Sequence, residues 1–400
     1  MRGGQPMKLL MLALGAMFFQ QTFAALGRNL PPIIAPAILD DLQLDPAWIG
    51  VYVGLTAFAA LIAQLSCGSF IVRYGALRTS QAALALLAVG LAAATVGPLA
   101  LFALSAIIGG GGSAMSTPAS SHLLGRYSPP RYAPLVFSLK QTAVPAGLLL
   151  AGLLGPFLVG VWGWRGAMLA AAAACLIFAF MLQPTRREFD SDRVPTRSFR
   201  LSDLGTTLGV ATRQPELRNL SLACFAFNGL QMVFVAYFVT YLFVLGYGLA
   251  TAGLVFSMAT LVAVPGRVFW GWFSSARASP GAVLAWLSLG MAASTAMLGV
   301  AGAMASLMLI SIAAVALSMT VLSWHGVLLA EAARLAPEGM RGAATGGVLS
   351  FGQLGALTMP LFYALILSLS GSHALGFILC GLPCLVVGLA MLRRPPPPVK

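Results

Sequence analysis

Acidic side chains are scarce in this sequence. Aspartate and glutamate number 10 in 400 residues, against 23 lysines and arginines, and charged residues make up only 8%. A soluble domain carries about 25%, so a water-covered globule is excluded. No hydrophobic stretch has a carboxylate at its centre. A dry cavity that binds a cation needs one to offset the cost of desolvation, which argues against cationic substrates. Histidine occurs three times and cysteine five times. Cys67, Cys175, Cys224, Cys380 and Cys384 lie in or at the ends of apolar stretches, with no CxxC pair and no histidine beside them. Neither a metal centre nor a redox site is expected, and Cys380 and Cys384 share a helix face as small packing residues do. A nucleotide-binding loop, a catalytic constellation and a soluble domain are all missing. An ATP-driven pump, an enzyme and a sensor are therefore disfavoured, and no cofactor is expected.

Long apolar runs are what the chain has instead. It is 59% hydrophobic, with mean hydropathy +0.91. A spanning helix needs about 20 mostly apolar residues. Twelve stretches qualify, roughly 9–36, 47–71, 79–97, 99–124, 133–159, 164–183, 217–245, 250–274, 280–300, 303–331, 342–369 and 374–392. The first has features of a secretory signal, with Lys8 before it and Ala24–Ala25 within it. Eleven further spans favour an uncleaved helix.

Basic residues concentrate in cytoplasmic loops. With both termini inside, 19 of the 23 fall there, including seven arginines from Arg186 to Arg218. Arg165 alone falls at an outer end, and Asp40, Asp41 and Asp45 occupy the first outer loop. The net charge of +13 is thus a topology signal and not a nucleic-acid footprint.

The longest polar segment, 184–216, lies between six spans and six more. Leu201, Leu204 and Leu208 within it suggest a short amphipathic helix on the inner membrane surface. The domains expected are a six-helix bundle over 1–183, a cytoplasmic linker over 184–216, a second bundle over 217–393 and an inner tail over 394–400. Two short matches support an internal repeat. Ser138-Leu-Lys140-Gln141 follows Arg131 in the fifth span, and Ser350-Phe-Gly352-Gln353 follows Arg341 in the eleventh. Ser120-Ser-His122 in the fourth span matches Ser323-Trp-His325 in the tenth.

This pattern resembles the major facilitator superfamily over the whole chain. The loop after the second span reads Gly68-Ser-Phe-Ile-Val72-Arg73-Tyr-Gly75-Ala-Leu-Arg78. It keeps the glycines and arginines of the family motif, but Val72 replaces its aspartate. Gly271-Trp-Phe-Ser-Ser275-Ala-Arg277, after the eighth span, lacks the aspartate too. In the family that residue helps latch the two halves on the cytoplasmic side, so the latch is in doubt here. Trp164-Arg165 is similar to the family's usual start of the sixth helix. The resemblance implies an all-α membrane protein of 12 transmembrane helices in two pseudo-symmetric six-helix bundles. It also implies a multi-pass protein of the bacterial inner membrane, monomeric, embedded in the lipid bilayer, with no nucleic-acid partner.

Three basic residues lie inside spans, where a charge is costly and marks a pathway by default. Arg28 lies in the outer half of the first span, with Pro36 eight residues on. That spacing resembles the organophosphate:phosphate antiporters, whose first helix carries a substrate-binding arginine. Their partner arginine in the seventh helix is replaced here by Gln231, which implies a singly charged anion. Alternatively, Arg28 snorkels to the outer interface. Lys140, about seven residues into its span, is about 10 Å from the inner interface at 1.5 Å per residue. It either meets substrate or donates to nearby carbonyls. Arg267, in Pro265-Gly266-Arg267-Val-Phe-Trp-Gly271, resembles the arginine of the monocarboxylate and oxalate carriers, where it binds the substrate carboxylate. A planar guanidinium suits a carboxylate through two hydrogen bonds. It can equally anchor the inner end of its helix, and the eleventh helix lacks the oxalate carriers' lysine.

The expected anion site therefore combines Arg267, Lys140 and Arg28 between the two halves, lined by Gln20, Gln21, Asn228, Gln231 and Gln353. Each of those amides could instead bond helix to helix. His122 and His325 are candidates for proton coupling, and Glu331 is expected in solvent. The function expected is secondary transport of a small organic anion, a carboxylate by preference, coupled to protons or to an exchanged anion. The alternative is efflux of neutral or hydrophobic drugs. Ala151-Gly-Leu-Leu-Gly155-Pro156-Phe-Leu-Val-Gly160 partly matches the fifth-helix motif of drug antiporters.

Overall fold

In a hydrocarbon layer every backbone N–H and C=O must be bonded within the protein, so an apolar chain of this kind becomes helical. The computed structural model describes residues 4–128, 136, 139–196, 202–304, 306–336 and 341–393. It is 89% helix, with no strand among the described residues. The readings on Arg131, Ser138, Leu201 and the tail 394–400 lie outside them.

The helices are α1 (Gly4–Ile33), α2 (Ala35–Leu42), α3 (Trp48–Tyr74), α4 (Ala76–Ala94), α5 (Leu99–Ser105), α6 (Ser116–Tyr127), α7 (Ala143–Met181) and α8 (Arg186–Phe189). After these come α9 (Ser202–Arg213), α10 (Pro215–Val244), α11 (Leu249–Ala276), α12 (Pro280–Ala303), α13 (Leu307–Val321), α14 (His325–Leu335), α15 (Arg341–Ser370) and α16 (His373–Leu392). Among the described residues, ten helical segments are long and apolar enough to cross a membrane. One of them, Leu139–Phe189, is 51 residues long, and Trp48–Gln64 is a shorter apolar helix besides. Gly163, inside α7, has φ 68° and ψ 174°, a left-handed backbone that glycine adopts without Cβ strain. The long segment therefore turns there.

The chain divides into two compact units. The first is Met1–Ala37 with Leu55–Leu201, and the second is Ile38–Gly54 with Ser202–Lys400. In the first, α1 and α7 run side by side in the same direction. A Cβ at Gly147 would meet Thr22, Ala25 and Leu26, and one at Gly155 would meet Leu30 and Ile34. Gly155 is thus explained by close packing, without appeal to drug antiport. Beyond α5 the chain passes through a π-helical turn, Ala106–Gly110. There Gly90 packs on Gly109, the close approach that the glycine run permits. Arg165 donates from Nε to the Thr95 carbonyl at 3.1 Å and stacks over Trp164.

The start of α4 and the end of α6 are fastened by the linker, which the sequence did not reveal. Asp190 is buried, and its carboxylate accepts from the N–H groups of Leu77 (2.7 Å) and Arg78 (3.1 Å). These are orphan donors of the first turn of α4, so Asp190 caps that helix from 113 residues away. Gly75, just before α4, has φ 100°, and a Cβ there would strike the Asp190 carboxyl. Val194 N–H donates to the Val72 carbonyl at 2.7 Å. Asp192 pairs with His122 at 3.0 Å and with Arg126 at 3.1 Å. Tyr127 donates to Glu188 at 3.0 Å. Burial raises the Asp190 carboxyl above its ordinary value, over the opposing pull of the two amides and of Arg186.

In the second unit α10 lies along α15 and α12 along α16, and the linker helix α9 packs on α15. Tyr237 stacks on Tyr363 with ring centroids 4.1 Å apart, and the Tyr363 hydroxyl is 2.8 Å from His373 Nδ1. His373 is therefore a third histidine near the spans, buried at the start of α16. Glu331 is likewise not in solvent. It is 8% exposed and held in a two-pronged pair by Arg334, at 2.7 and 2.6 Å. The i, i+3 spacing on α14 places the guanidinium fork over the carboxylate.

Replacing Asp190 with alanine leaves two first-turn amides of α4 without their acceptor. The expected cost is about 1–2 kcal/mol, read as a lower thermal unfolding midpoint in detergent. Asp190→Asn should restore part of it. An unchanged midpoint for Asp190→Ala would show that the linker does not hold α4.

Candidate functional site

The polar residues singled out by the sequence fall into two groups, one in each unit. In the first unit Lys140 lies in helical residues 139–141 just before α7 and is fully buried. Its Nζ has no hydrogen-bond partner among the described residues. Arg28, half-buried near the C-terminal end of α1, makes no hydrogen bond or ion pair with any described residue either. The two cations are far apart. Gly147 sits level with Thr22–Leu26, so Lys140 lies about 10 Å below that level and Arg28 about 6 Å above it at 1.5 Å per residue. A separation of about 16 Å keeps them from grasping one small anion together.

The neutral side chains of this unit are already engaged. Gln21 Oε1 accepts from Thr117 Oγ1 at 3.2 Å. Gln20 donates to the Ser80 carbonyl at 3.3 Å and to Ser116 Oγ at 2.9 Å, tying α1 to α4 and α6. Its Oε1 is buried without a partner. His122 is in the second half of α6, its side chain 41% exposed and paired with Asp192.

The second unit brings its residues together around a break in a helix. Helices α13 and α14 are two halves of one apolar segment, interrupted at Leu322-Ser323-Trp324. Ser323 N–H bonds to the Thr320 carbonyl, three residues back, at 3.2 Å, which releases Met319. Helix α11 supplies the missing donors. Trp270 Nε1 donates to the Met319 carbonyl at 3.0 Å and Arg267 Nε to the Leu322 carbonyl at 2.6 Å. Arg267 and Trp270 are three residues apart and so share a helix face. From the other side, Trp324 Nε1 donates to Gln231 Oε1 at 3.1 Å. Phe227, one turn before Gln231 on α10, meets the Trp324 ring edge-on at 5.7 Å. The His325 ring stacks on Trp324 with centroids 3.7 Å apart. Asn228 donates to the Gly352 carbonyl at 2.8 Å, carrying the polar seam on to α15. Gln353, beside Gly352 and half-buried, makes no hydrogen bond with a described residue.

Arg267, Gln231, Asn228, Gln353 and His325 thus belong to one neighbourhood. The anchoring role weighed for Arg267 is present in its Nε bond, directed at the broken helix and not at its own inner end. The repeat that pairs Ser120-Ser-His122 with Ser323-Trp-His325 joins unlike surroundings, a continuous exposed helix end and a buried break. Ser323, Trp324 and Trp270 escaped the sequence reading as site residues. No proline marks the break, and the one signal was the repeat match over Ser323–His325. No group of three or more metal-ligating side chains occurs among the described residues.

Residues 17–346 match the family profile of the Major Facilitator Superfamily, and the chain belongs to that family. No curated protein matches it by sequence. Its fold is similar to that of a bacterial homologue of the human lysosomal transporter Spinster, in an inward-facing and occupied conformation. That likeness has TM-score 0.77 and 14% identity, and covers 95% of each chain. A POT family transporter in complex with 5-aminolevulinic acid has TM-score 0.77 and 15% identity over 95% of each chain. A D-xylose–proton symporter has TM-score 0.72 and 16% identity over 97% of each. At these identities the likeness shows the fold. The chain is therefore a multi-pass membrane transporter of this superfamily, a family of carriers and not of enzymes.

Gln231→Leu removes the acceptor of the Trp324 indole inside the break. A buried donor left unpaired costs roughly 1–3 kcal/mol, so this variant should unfold at lower temperature than Gln231→Glu, which retains an acceptor. Equal midpoints for the two would show that the indole bond does not hold the break.

Proposed function

We propose that this facilitator is a secondary active transporter of a small organic anion, a carboxylate by preference, working by alternating access in a bacterial inner membrane. Lys140 carries the reading. An ammonium fully buried in an apolar bundle, with no hydrogen bond, is costly in proportion to its desolvation. A bound anion returns that cost, and binding of this kind is what a carrier needs at one stage of its cycle. Arg28, also without a partner, fits a first contact nearer the outside. The scarcity of carboxylates in the spans points the same way. The solved POT family transporter holds 5-aminolevulinic acid, so a protein of this fold accommodates a compound bearing a carboxylate.

Twelve spans with both termini inside remain the topology we favour. The 51-residue segment would reach about 76 Å if straight at 1.5 Å per residue, far beyond a bilayer core of about 30 Å. The turn at Gly163 supports reading it as two spans. Helix α3, with 27 residues, is long enough for another. All five cysteines are buried, so single cysteines placed at Ser191 and Gln43 should report cleanly in accessibility labelling. Ser191 should label from the inside and Gln43 from the outside, and labelling of both from one side overturns the topology.

For transport we assign the coupled ion to protons, with His325 as the group that carries or gates them. His325→Gln should flatten the pH dependence of net uptake. An unchanged pH profile would return the proton to another group or to the substrate itself.

The substrate class is tested by a thermal-shift screen of purified protein against small carboxylates, with cationic dyes as controls. A ligand of the native state raises the melting midpoint. Lys140→Ala should keep a cooperative transition but lose the carboxylate-induced shift. If Lys140→Ala retains the shift in full, or if neutral drugs alone produce one, the anion reading fails.

A further inference from the structure

The break between α13 and α14 exposes more donors than the protein itself uses. The first ladder bond of α14 runs from Leu328 N–H to the Trp324 carbonyl at 3.1 Å. The N–H groups of His325, Gly326 and Val327 precede it and have no backbone acceptor. Ser323 is 2% exposed, and its Oγ has no hydrogen-bond partner. That hydroxyl faces α11, because a Cβ on Gly266 would lie 3.0 Å from it. The residue after Gly266 is Arg267, which already reaches the Leu322 carbonyl. His325 Nδ1 is buried and also without a partner, although the ring is fixed by its stack on Trp324.

In water these vacant bonds would be trivial. Inside a membrane bundle each unmet polar group costs free energy, and here several fall within residues 323–327. Three amides present hydrogens, the Ser323 hydroxyl and His325 Nδ1 can each donate, the N-terminus of an eleven-residue helix adds partial positive charge, and Arg267 adds a full one. Glu331, the acidic residue of α14, is two turns away and held by Arg334.

We infer that the carboxylate of the transported anion docks at this break, on Ser323 Oγ, His325 Nδ1 and the first amides of α14. Arg267 acts there as a positioning residue, holding the broken end of α13 through Leu322. This rests on the organic-anion reading and adds to the Lys140 contact of the first unit a docking place in the second, used at another stage of the cycle. For Nδ1 to donate, the neutral His325 ring must carry its proton on that nitrogen. The inference thus specifies a tautomer as well as a contact.

The test uses the full chain in lipid nanodiscs, labelled with 15N-histidine. Only three histidines are present, and loss of a resonance in His325→Gln assigns His325. Acetate, lactate and benzoate serve as probes, with the corresponding amides as neutral controls. The expected result is the Nδ1–H tautomer for His325 and a resonance shift on adding any carboxylate that raises the melting midpoint. His122, on the linker side, should not move. Ser323→Ala should weaken that carboxylate roughly tenfold, the loss of about one hydrogen bond to a charged group, with the labelled spectrum showing the variant folded. If a carboxylate raises the midpoint yet leaves the His325 resonance in place, the docking inference is wrong while the anion reading stands. If no carboxylate raises the midpoint, both fall.

Discussion

A carbonyl released from its helix inside a hydrocarbon layer has to find a donor, and this constraint organises the second unit. Water is not at hand to accept the debt of a broken ladder, so the neighbouring helices must carry the missing hydrogens. Arg267 and Trp270 do so from one face of α11, on the Leu322 and Met319 carbonyls. Gln231 then receives the Trp324 indole from the opposite side. Four residues that look independent in sequence are thereby fixed by one defect. The break gains a defined geometry, and the helix that restarts at His325 gains an exposed N-terminus.

The first unit meets a different demand at its inner end. A loop whose family motif lacks its aspartate still has to present α4 with an acceptor for its first-turn amides. Asp190 of the linker supplies it, and the glycine at position 75 leaves room for the carboxyl. The neighbouring acids, Glu188 and Asp192, bind Tyr127, His122 and Arg126 at the end of α6. The linker that reads as a charged spacer is, over residues 188–194, a fastening of the first bundle. Three of its five acids, Glu188, Asp190 and Asp192, are used on that task.

Hydropathy and the distribution of arginine made the membrane fold legible, because both follow from the bilayer and act on every residue alike. The family was legible in Gly68, Arg73, Gly75 and Arg78. The buried state of Lys140 could be read from its distance to the nearest interface. What could not be read depends on contacts between distant positions. Val72 suggested a weakened loop, and nothing near it in sequence points to Asp190. Glu331 was assigned to solvent from its place at a helix end, whereas Arg334 one turn on keeps it paired and buried. His122 and His325 share a repeat, yet one faces the linker and the other stacks on Trp324. The helix break has no proline to announce it. It is visible only once Arg267 and Trp270 are seen spending their donors on its carbonyls.

The treatment of charge differs between groups that hold the fold and groups assigned to transport. Asp190, Asp192, Glu331 and Arg334 are all paired, as charges retained for structure are. Lys140 and Arg28 are not. A carboxylate built in beside Lys140 would stabilise the empty protein and then compete with any anion that arrived, so the gain on binding would shrink by the strength of the internal pair. Leaving the ammonium unpaired places that free energy in the bound state instead. A related reasoning holds at the break between α13 and α14, where the helix start and Ser323 remain unbonded while Arg267 and Trp270 serve the Leu322 and Met319 carbonyls. A helix N-terminus with free amides beside a guanidinium favours an anion.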